Sequence, residues 1–272
     1  MKKNKLQKFA DNLTFPNLFQ YPFLHREDCP MRGKWHSDYF MNSLPIVIEI
    51  GCGKGEYTTG LSERYPDKNF IGIDIKGARL WKGAKYACEN SLLRVAFIRA
   101  RIDFIQKIFA QGEVSEIWIT FPDPQHSRER KRLTSPMFLE RYRHILANGD
   151  GGYGGSNSDG SSNSCNNGGN NNIGYGSGGS SGSDGGGGKI HLKTDDTILY
   201  LYTLDDIVIG GGLPLYIYSD DIYADNRPEL EDVRAVKTFY EQIWLQMNKK
   251  IKYLCFGLDP CKFDSQYPLP KP

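Results

Sequence analysis

The sequence predicts an open α/β fold, a mostly parallel sheet with helices on both faces and an antiparallel hairpin at one edge. Two observations carry that expectation. Short continuous apolar runs at 45–50 (PIVIEI), 69–75 (NFIGIDI), 94–100 (RVAFIRA) and 115–121 (SEIWITF) read as strands buried on both faces. Between them lie stretches with helical spacing, and that alternation is the pattern of a parallel sheet.

The elements follow in order. Residues 1–44 are irregular, an arm in which Phe15, Pro16, Phe19, Tyr21, Pro22 and Phe23 are suited to packing on a core. The first strand runs into GCGKGEYTTGLSERYP, a glycine turn opening a helix with Tyr57, Leu61 and Tyr65 on one face. A second helix covers KGARLWKGAKYACENS, a third spans 103–111, and SPMFLERYRHILANG reads as a capped helix burying Phe138, Leu139, Tyr142, Ile145 and Leu146. KIHLKTDD is a fifth strand, TILYLYTLDDIV a helix and LPLYIYSDDIY a strand. A helix over 229–247 and a last strand over 250–258 close the domain, with 259–272 as a tail.

Residues 149–188 interrupt this order. They hold 17 Gly, 9 Ser and 7 Asn among 40 positions and no Lys or Arg, too little apolar surface to offset the entropy of ordering, so disorder is expected. Removing them leaves ILANG-GKIHLKTD, an ordinary link from a helix to a strand, so the segment reads as a loop expansion within one domain over 45–258. Outside it stand 34 basic and 29 acidic residues, a net +5 that permits an RNA partner.

Six cysteines form no C-x-x-C pair and no cluster with His at ligand spacing. That argues against zinc, and against a disulfide framework in so long a chain. No metal is expected. The basic start MKKNKLQKFADNL lacks the apolar centre of a secretory signal, and no apolar run approaches 18 residues. The expectation is a cytoplasmic protein with reduced, mostly buried thiols and no membrane partner.

The glycine loop EIGCGKGEY leads from a strand into a helix, where backbone N–H groups can meet a ligand. A dinucleotide fold asks for G-x-G-x-x-G, whereas here the spacing is Gly51-x-Gly53-x-Gly55. Glu49 ends the first strand just before it. A carboxylate there attracts the cationic amine of S-adenosylmethionine (SAM) and repels a diphosphate. Asp74 ends the second strand, where either cofactor would present ribose hydroxyls. The acids favour SAM over NAD, against the plainer reading of a tight strand-to-helix turn.

The fourth strand runs into FPDPQHSRERKRL. Pro122 and Pro124 fix the backbone around Asp123 and remove two N–H donors, costly for an ordinary strand end. Asp123 is therefore a candidate active-site acid. Arg128, Arg130, Lys131 and Arg132 follow, with His126 nearby. A charge run is usually a solvated face, and nuclear targeting is a further reading. Beside the ligand edge of the sheet, these cations suit phosphates.

Taken together, EIGCGKGE, FIGIDI, F-P-D-P followed by K-R-L-T, F-L-x-x-Y and GKIHLKTD make the chain resemble the bacterial-type tRNA (guanine-N7-)-methyltransferase family, from about 45 to 258 apart from the insert. The resemblance implies a Rossmann-like class I SAM-dependent methyltransferase acting on a guanine of the tRNA variable loop. It implies that Glu49, Gly51, Gly53 and Asp74 hold SAM, and that Asp123 contacts SAM and the reaction centre. Asp195 would contact the guanine. The family's late T-x-[YF]-E element is Thr238, Phe239, Tyr240 and Glu241 here, and would also face the substrate. Three positions depart from the family: Gln125 replaces a Trp, Ser127 replaces a basic residue, whose phosphate or guanine contact either falls to Arg128 or is lost, and Ala100 replaces an acid after the third strand, with Asp103 a turn away. A SAM methyltransferase acting on another RNA, or a non-catalytic RNA-binding protein of the same fold, are the alternatives. The sequence does not call for a partner subunit.

Overall fold

A computed structural model describes residues 4–21, 27–147 and 188–258. Eight strands form one sheet: β1 (Leu18–Gln20), β2 (Ile46–Ile50), β3 (Asn69–Asp74), β4 (Val95–Arg99), β5 (Glu116–Thr120), β6 (Lys189–Thr194), β7 (Leu215–Ser219) and β8 (Lys252–Gly257). Their order is β1-β4-β3-β2-β5-β6-β8-β7. Neighbours from β1 to β6 are parallel, and β8 runs antiparallel between β6 and β7. The direction of the crossovers reverses between β2 and β5, so the crevice at the carboxyl ends of those strands is the expected ligand position.

The helices are α1 (Lys5–Asp11), α2 (Glu56–Arg64), α3 (Gly77–Glu89), α4 (Ile105–Ile108), α5 (Pro136–Ile145), α6 (Thr197–Leu201), α7 (Glu231–Ala235) and α8 (Phe239–Gln246). Two apolar cores lie on opposite faces of the sheet. Ile46, Ile48 and Ile50 enter one with Trp35, Phe109, Leu139 and Tyr142. Val47 enters the other with Tyr57, Leu61, Leu80 and Phe97. The alternation along β2 follows from the two-residue period of a strand, and it directs Glu49 to the second face.

Several expectations need correction. The arm is not irregular: α1 packs on α3, β1 extends the sheet beside β4, and a π-helical turn over Trp35–Phe40 buries Trp35. The helix expected over 103–111 is a short 3-10 turn and the four-residue α4. Ser135 begins α5 without a side-chain cap, because its hydroxyl donates to the Arg130 carbonyl 3.0 Å away. The helix beginning at Thr197 continues as a π-helix over Tyr202–Ile209.

The helix expected over 229–247 is broken. A 3-10 turn (Pro228–Leu230) leads into α7, Val236 is extended, and α8 begins after Thr238. A reciprocal cap makes the new start. The Thr238 hydroxyl accepts from the Glu241 amide, and the Glu241 carboxylate accepts from the Thr238 amide.

The insert read over 149–188 lies outside the described residues except for Gly188. Its flanks meet, since the Gly188 amide donates to the Ala147 carbonyl at 2.9 Å. Four described cysteines carry free thiols, of which Cys29, Cys52 and Cys255 are buried.

Candidate active site

The glycine turn is built at the end of β2. Gly51, Gly53 and Gly55 have φ of +75°, +58° and +72°, the left-handed region that costs other residues strain. At Gly51 and Gly53 a Cβ would meet nothing within 4 Å, so the turn faces open space. At Gly55 a Cβ would come within 2.4 Å of the Phe97 ring, which fixes glycine there for packing reasons.

Glu49 points into this region and is 3% exposed. One carboxylate oxygen accepts from the Thr58 amide at 2.9 Å and from the Thr58 hydroxyl, and the other accepts from the Thr120 hydroxyl. Burial pushes its pKa up to about 7, with Asp74 nearby adding to the rise and the hydrogen bonds opposing it. A buried acid poised at this value gains from a cation brought beside it. Asp74 is fixed differently. One oxygen accepts from the Gly53 amide at 2.9 Å and the other from the Lys76 amide at 2.7 Å, tying the end of β3 to the glycine turn.

A cavity of about 90 Å³ is lined by Glu49, Gly51, Gly53, Lys54, Arg79, Phe121, Thr238 and Tyr240, among others. With Glu56 also in its lining, it offers two carboxylates and two cations, groups of both signs that an amino-acid zwitterion can pair with. A larger cavity of about 480 Å³ begins at Ile75, next to Asp74, and is lined by Ala100, Phe104, Tyr21 and Leu13 with Gln20 and two arginines. An apolar, aromatic-edged space beside a carboxylate suits a purine attached to a ribose. The residues present therefore fit SAM.

Phe121 and Gln125 bracket the Pro-Asp-Pro element, and each has φ of +47°. Left-handed backbone at two non-glycine positions is stored strain of about 1–3 kcal/mol each, held in place by its surroundings. Between them Asp123 is exposed, and its carboxylate accepts from the Gln125 amide at 3.1 Å. His126 Nε2 lies 2.8 Å from Asp196 Oδ2, which joins this loop to the end of β6. Asp195, half-buried at that end, pairs with Lys249 at 3.0 Å.

The basic run divides. Arg128, Arg130 and Lys131 are exposed. Arg132, expected with them on the surface, is 2% exposed, donates to the Pro124 carbonyl and lays its guanidinium 4.2 Å from the Tyr202 ring centre. It anchors the loop from beneath.

Glu241 is also placed inside. Its side chain has no exposure, pairs with Lys193 at 2.8 Å and accepts from the Tyr223 hydroxyl at 2.7 Å. Thr238 reaches the small cavity but spends its hydroxyl on the helix cap. The structure thus brings Glu49, Gly51, Gly53 and Thr238 to one cavity, ties Asp74 to it, and leaves Arg128 on the surface loop. Sequence reasoning missed Thr58 and Thr120, which hold Glu49, and the cavity-lining Lys54 and Arg79. A hydroxyl at the end of β5 was the available signal for Thr120. Among the described residues no group of three metal-ligating side chains occurs, and no helix is long and apolar enough to cross a membrane.

The family described as "Putative methyltransferase" matches residues 43–153. A tRNA (guanine-N(7)-)-methyltransferase of Bacteroides fragilis is 41% identical over 95% of this chain and 87% of its own length. One from Porphyromonas gingivalis is 44% identical over 90% of this chain and 86% of its own. This chain belongs to the tRNA (guanine-N(7)-)-methyltransferase family. The fold is shared more widely. The crystal structure of a 30S ribosomal A1408 methyltransferase from an uncultured bacterium aligns with a TM-score of 0.50 at 12% identity, covering 82% of this chain and 92% of that one. The family's class I SAM-dependent methyltransferase architecture is therefore the one described above, with its edge hairpin made by β7 and β8.

Proposed function

We propose that the protein transfers the methyl group of SAM to N7 of a guanine in the variable loop of tRNA. The observation that carries the reading is the buried Glu49 carboxylate in the glycine-loop cavity, whose lining also includes Lys54 and Arg79, next to the strained loop that presents Asp123. Glu49 and the open faces of Gly51 and Gly53 suit the amino-acid end of SAM, and Asp74 suits its ribose. SAM supplies an activated methyl group on a sulfonium. Guanine N7 has a lone pair and no proton, so this chain needs no strong general base. Its contribution is to hold N7 in line with the methyl carbon, which converts a bimolecular step into a positioned one.

Asp123 is exposed where a base would enter, and a carboxylate there stabilises positive charge developing on the purine. Asp195 has donors of the guanine edge as its expected partners, in exchange for Lys249. Arg128, Arg130 and Lys131 suit the tRNA backbone. A cytoplasmic setting goes with tRNA as the substrate and with the three buried free thiols.

The test is incubation with labelled SAM and unmodified tRNA, followed by borohydride and aniline cleavage to locate N7-methylguanine. Cleavage in the variable loop is expected, and no cleavage in any tRNA would overturn the reading. Asp123→Ala should lower turnover at least tenfold more than it lowers tRNA affinity by filter binding. Equal losses would remove its catalytic role.

A further inference from the structure

The loop that presents Asp123 is tied to the fold at each end and at one point between. Where it leaves β5, the Phe121 amide donates to the Lys193 carbonyl at 2.8 Å. Where it approaches α5, Arg132 donates to the Pro124 carbonyl at 3.2 Å, and the Ser135 hydroxyl to the Arg130 carbonyl at 3.0 Å. The point between is His126, whose Nε2 lies 2.8 Å from Asp196 Oδ2. Among the described residues, no other side chain of 122–131 forms a hydrogen bond or ion pair outside 122–132.

Asp196 is a fixed partner. Its amide donates to Thr194 Oγ1 at 3.1 Å, and its Oδ1 caps α6 by accepting from the Leu199 amide at 2.7 Å. Burial works against its charge, yet the Leu199 amide and His126 hold its pKa below the usual carboxylate range. The carboxylate is therefore ionised and only accepts, so Nε2 of His126 carries the proton that joins them. On the other side of this bond, His126 follows Gln125, whose left-handed backbone must be held by its surroundings. Asp123 stands three residues before His126, and Asp195 directly before Asp196. One hydrogen bond thus spans the two segments that carry Asp123 and Asp195. With its side chains 54% and 20% exposed, such a pair adds little to global stability.

We infer that His126 is a positioning residue for methyl transfer, which through Asp196 sets the spacing between Asp123 and Asp195. The inference rests on the tRNA guanine-N7 reading above, in which both carboxylates meet the base. His126 acts through Asp196 and not on the reacting atoms. It keeps Asp123 in place before the base arrives, so the loop need not be ordered during the transfer step. Arg132 and Ser135 hold the later part of the loop independently. Arg128, Arg130 and Lys131 therefore keep their places without His126, and the grip on tRNA is separate from the positioning.

The experiment compares wild type, His126→Ala, His126→Gln, Asp196→Ser and the His126→Ala/Asp196→Ser double variant on unmodified tRNA. Serine still caps α6 but is too short to reach His126. Glutamine sets an amide N–H where Nε2 stands. His126→Ala and Asp196→Ser should each lower kcat about tenfold, with KM for tRNA within about threefold of wild type and melting temperature unchanged. The double variant should be no worse than either single one, and His126→Gln should recover most of the loss. Amide hydrogen exchange over 122–128 should quicken in His126→Ala and Asp196→Ser, a readout that needs no activity. Losses that multiply in the double variant would overturn the inference, as would unchanged kcat or unchanged exchange. A loss carried by KM for tRNA at constant kcat would make His126 an RNA contact and also overturn it. A wild type that makes no N7-methylguanine would instead sink the functional reading, and exchange would still decide whether His126 holds the loop.

Discussion

Lys193 Nζ lies 2.8 Å from Glu241 Oε1, and neither side chain has any solvent exposure. A lone buried charge is costly, and burial pushes the Lys193 pKa down to about 8 although Glu241 pulls it back up. The pair joins β6 to the first turn of α8, so it serves the site by holding its wall.

Removing one partner strands the other. Lys193→Met and Glu241→Gln should each destabilise the fold by about 3–5 kcal/mol in urea denaturation. A Lys193→Met/Glu241→Leu double variant should recover part of that loss. Were Glu241 instead a reader of the guanine edge, Glu241→Gln would lower methylation and leave the denaturation midpoint where it was.

Glu49 predicts a pH dependence for cofactor binding. Its carboxylate titrates near 7 in the fold against 4.5 when free, so its contribution to stability without ligand is fully present below 4.5 and is lost as pH rises through about 7. Pairing with a cationic amine needs the ionised form and so runs the other way. SAM affinity by calorimetry should fall below pH 7, approaching tenfold per pH unit, and Glu49→Gln should bind weakly with a flat profile.

The basic loop should separate into grip and anchor. Alanine at Arg128, Arg130 and Lys131 together should weaken tRNA binding and lower its salt slope by up to about 3, with the melting temperature unchanged. Arg132→Ala removes a buried guanidinium from the Pro124 carbonyl and the Tyr202 ring, and should lower the melting temperature. An Arg132 variant that melts normally but loses salt-dependent binding would return this residue to the RNA surface.

A second buried charge cluster lies away from the site. His191 stacks on Trp118 with ring centres 4.0 Å apart and bonds the Tyr253 hydroxyl at 2.7 Å. Burial alone would lower its pKa, but neighbouring Cys255 and Glu116 carry it up to about 9. The stability this raised value provides is complete below about 6.5 and is lost as pH rises through 9. The urea midpoint should therefore decline from pH 6.5 to 9.5, and His191→Gln should flatten that decline.

Much of this architecture was legible because parallel strands buried on both faces write uninterrupted apolar runs, and β2, β3, β4 and β5 each fall inside such a run. Glu49 and Asp74 were legible as acids closing those runs. What the sequence hid was direction. Nothing in R-E-R-K-R tells which arginine turns inward, and Arg132 does so because the short 3-10 turn before it points its side chain at Tyr202. The Thr-x-x-Glu spacing at 238–241 was visible, but a reading of it as a substrate motif obscured its capping geometry and with it the break in the last helix. The three-residue β1 was too short to show a period.

The seam between α5 and β6 has a practical consequence. The Ala147 amide donates to Val114 and the Gly188 amide to Ala147, so chain leaving and re-entering there is clamped at the amino-terminal rim of the sheet. At about 3.3 Å per residue, the length of β5 puts that rim on the order of 15 Å from the cofactor crevice. The seam is thus a natural port: a fluorescent reporter or an immobilisation handle joined directly from Ala147 to Gly188, in place of the residues between them, would be attached at the rim opposite the chemistry.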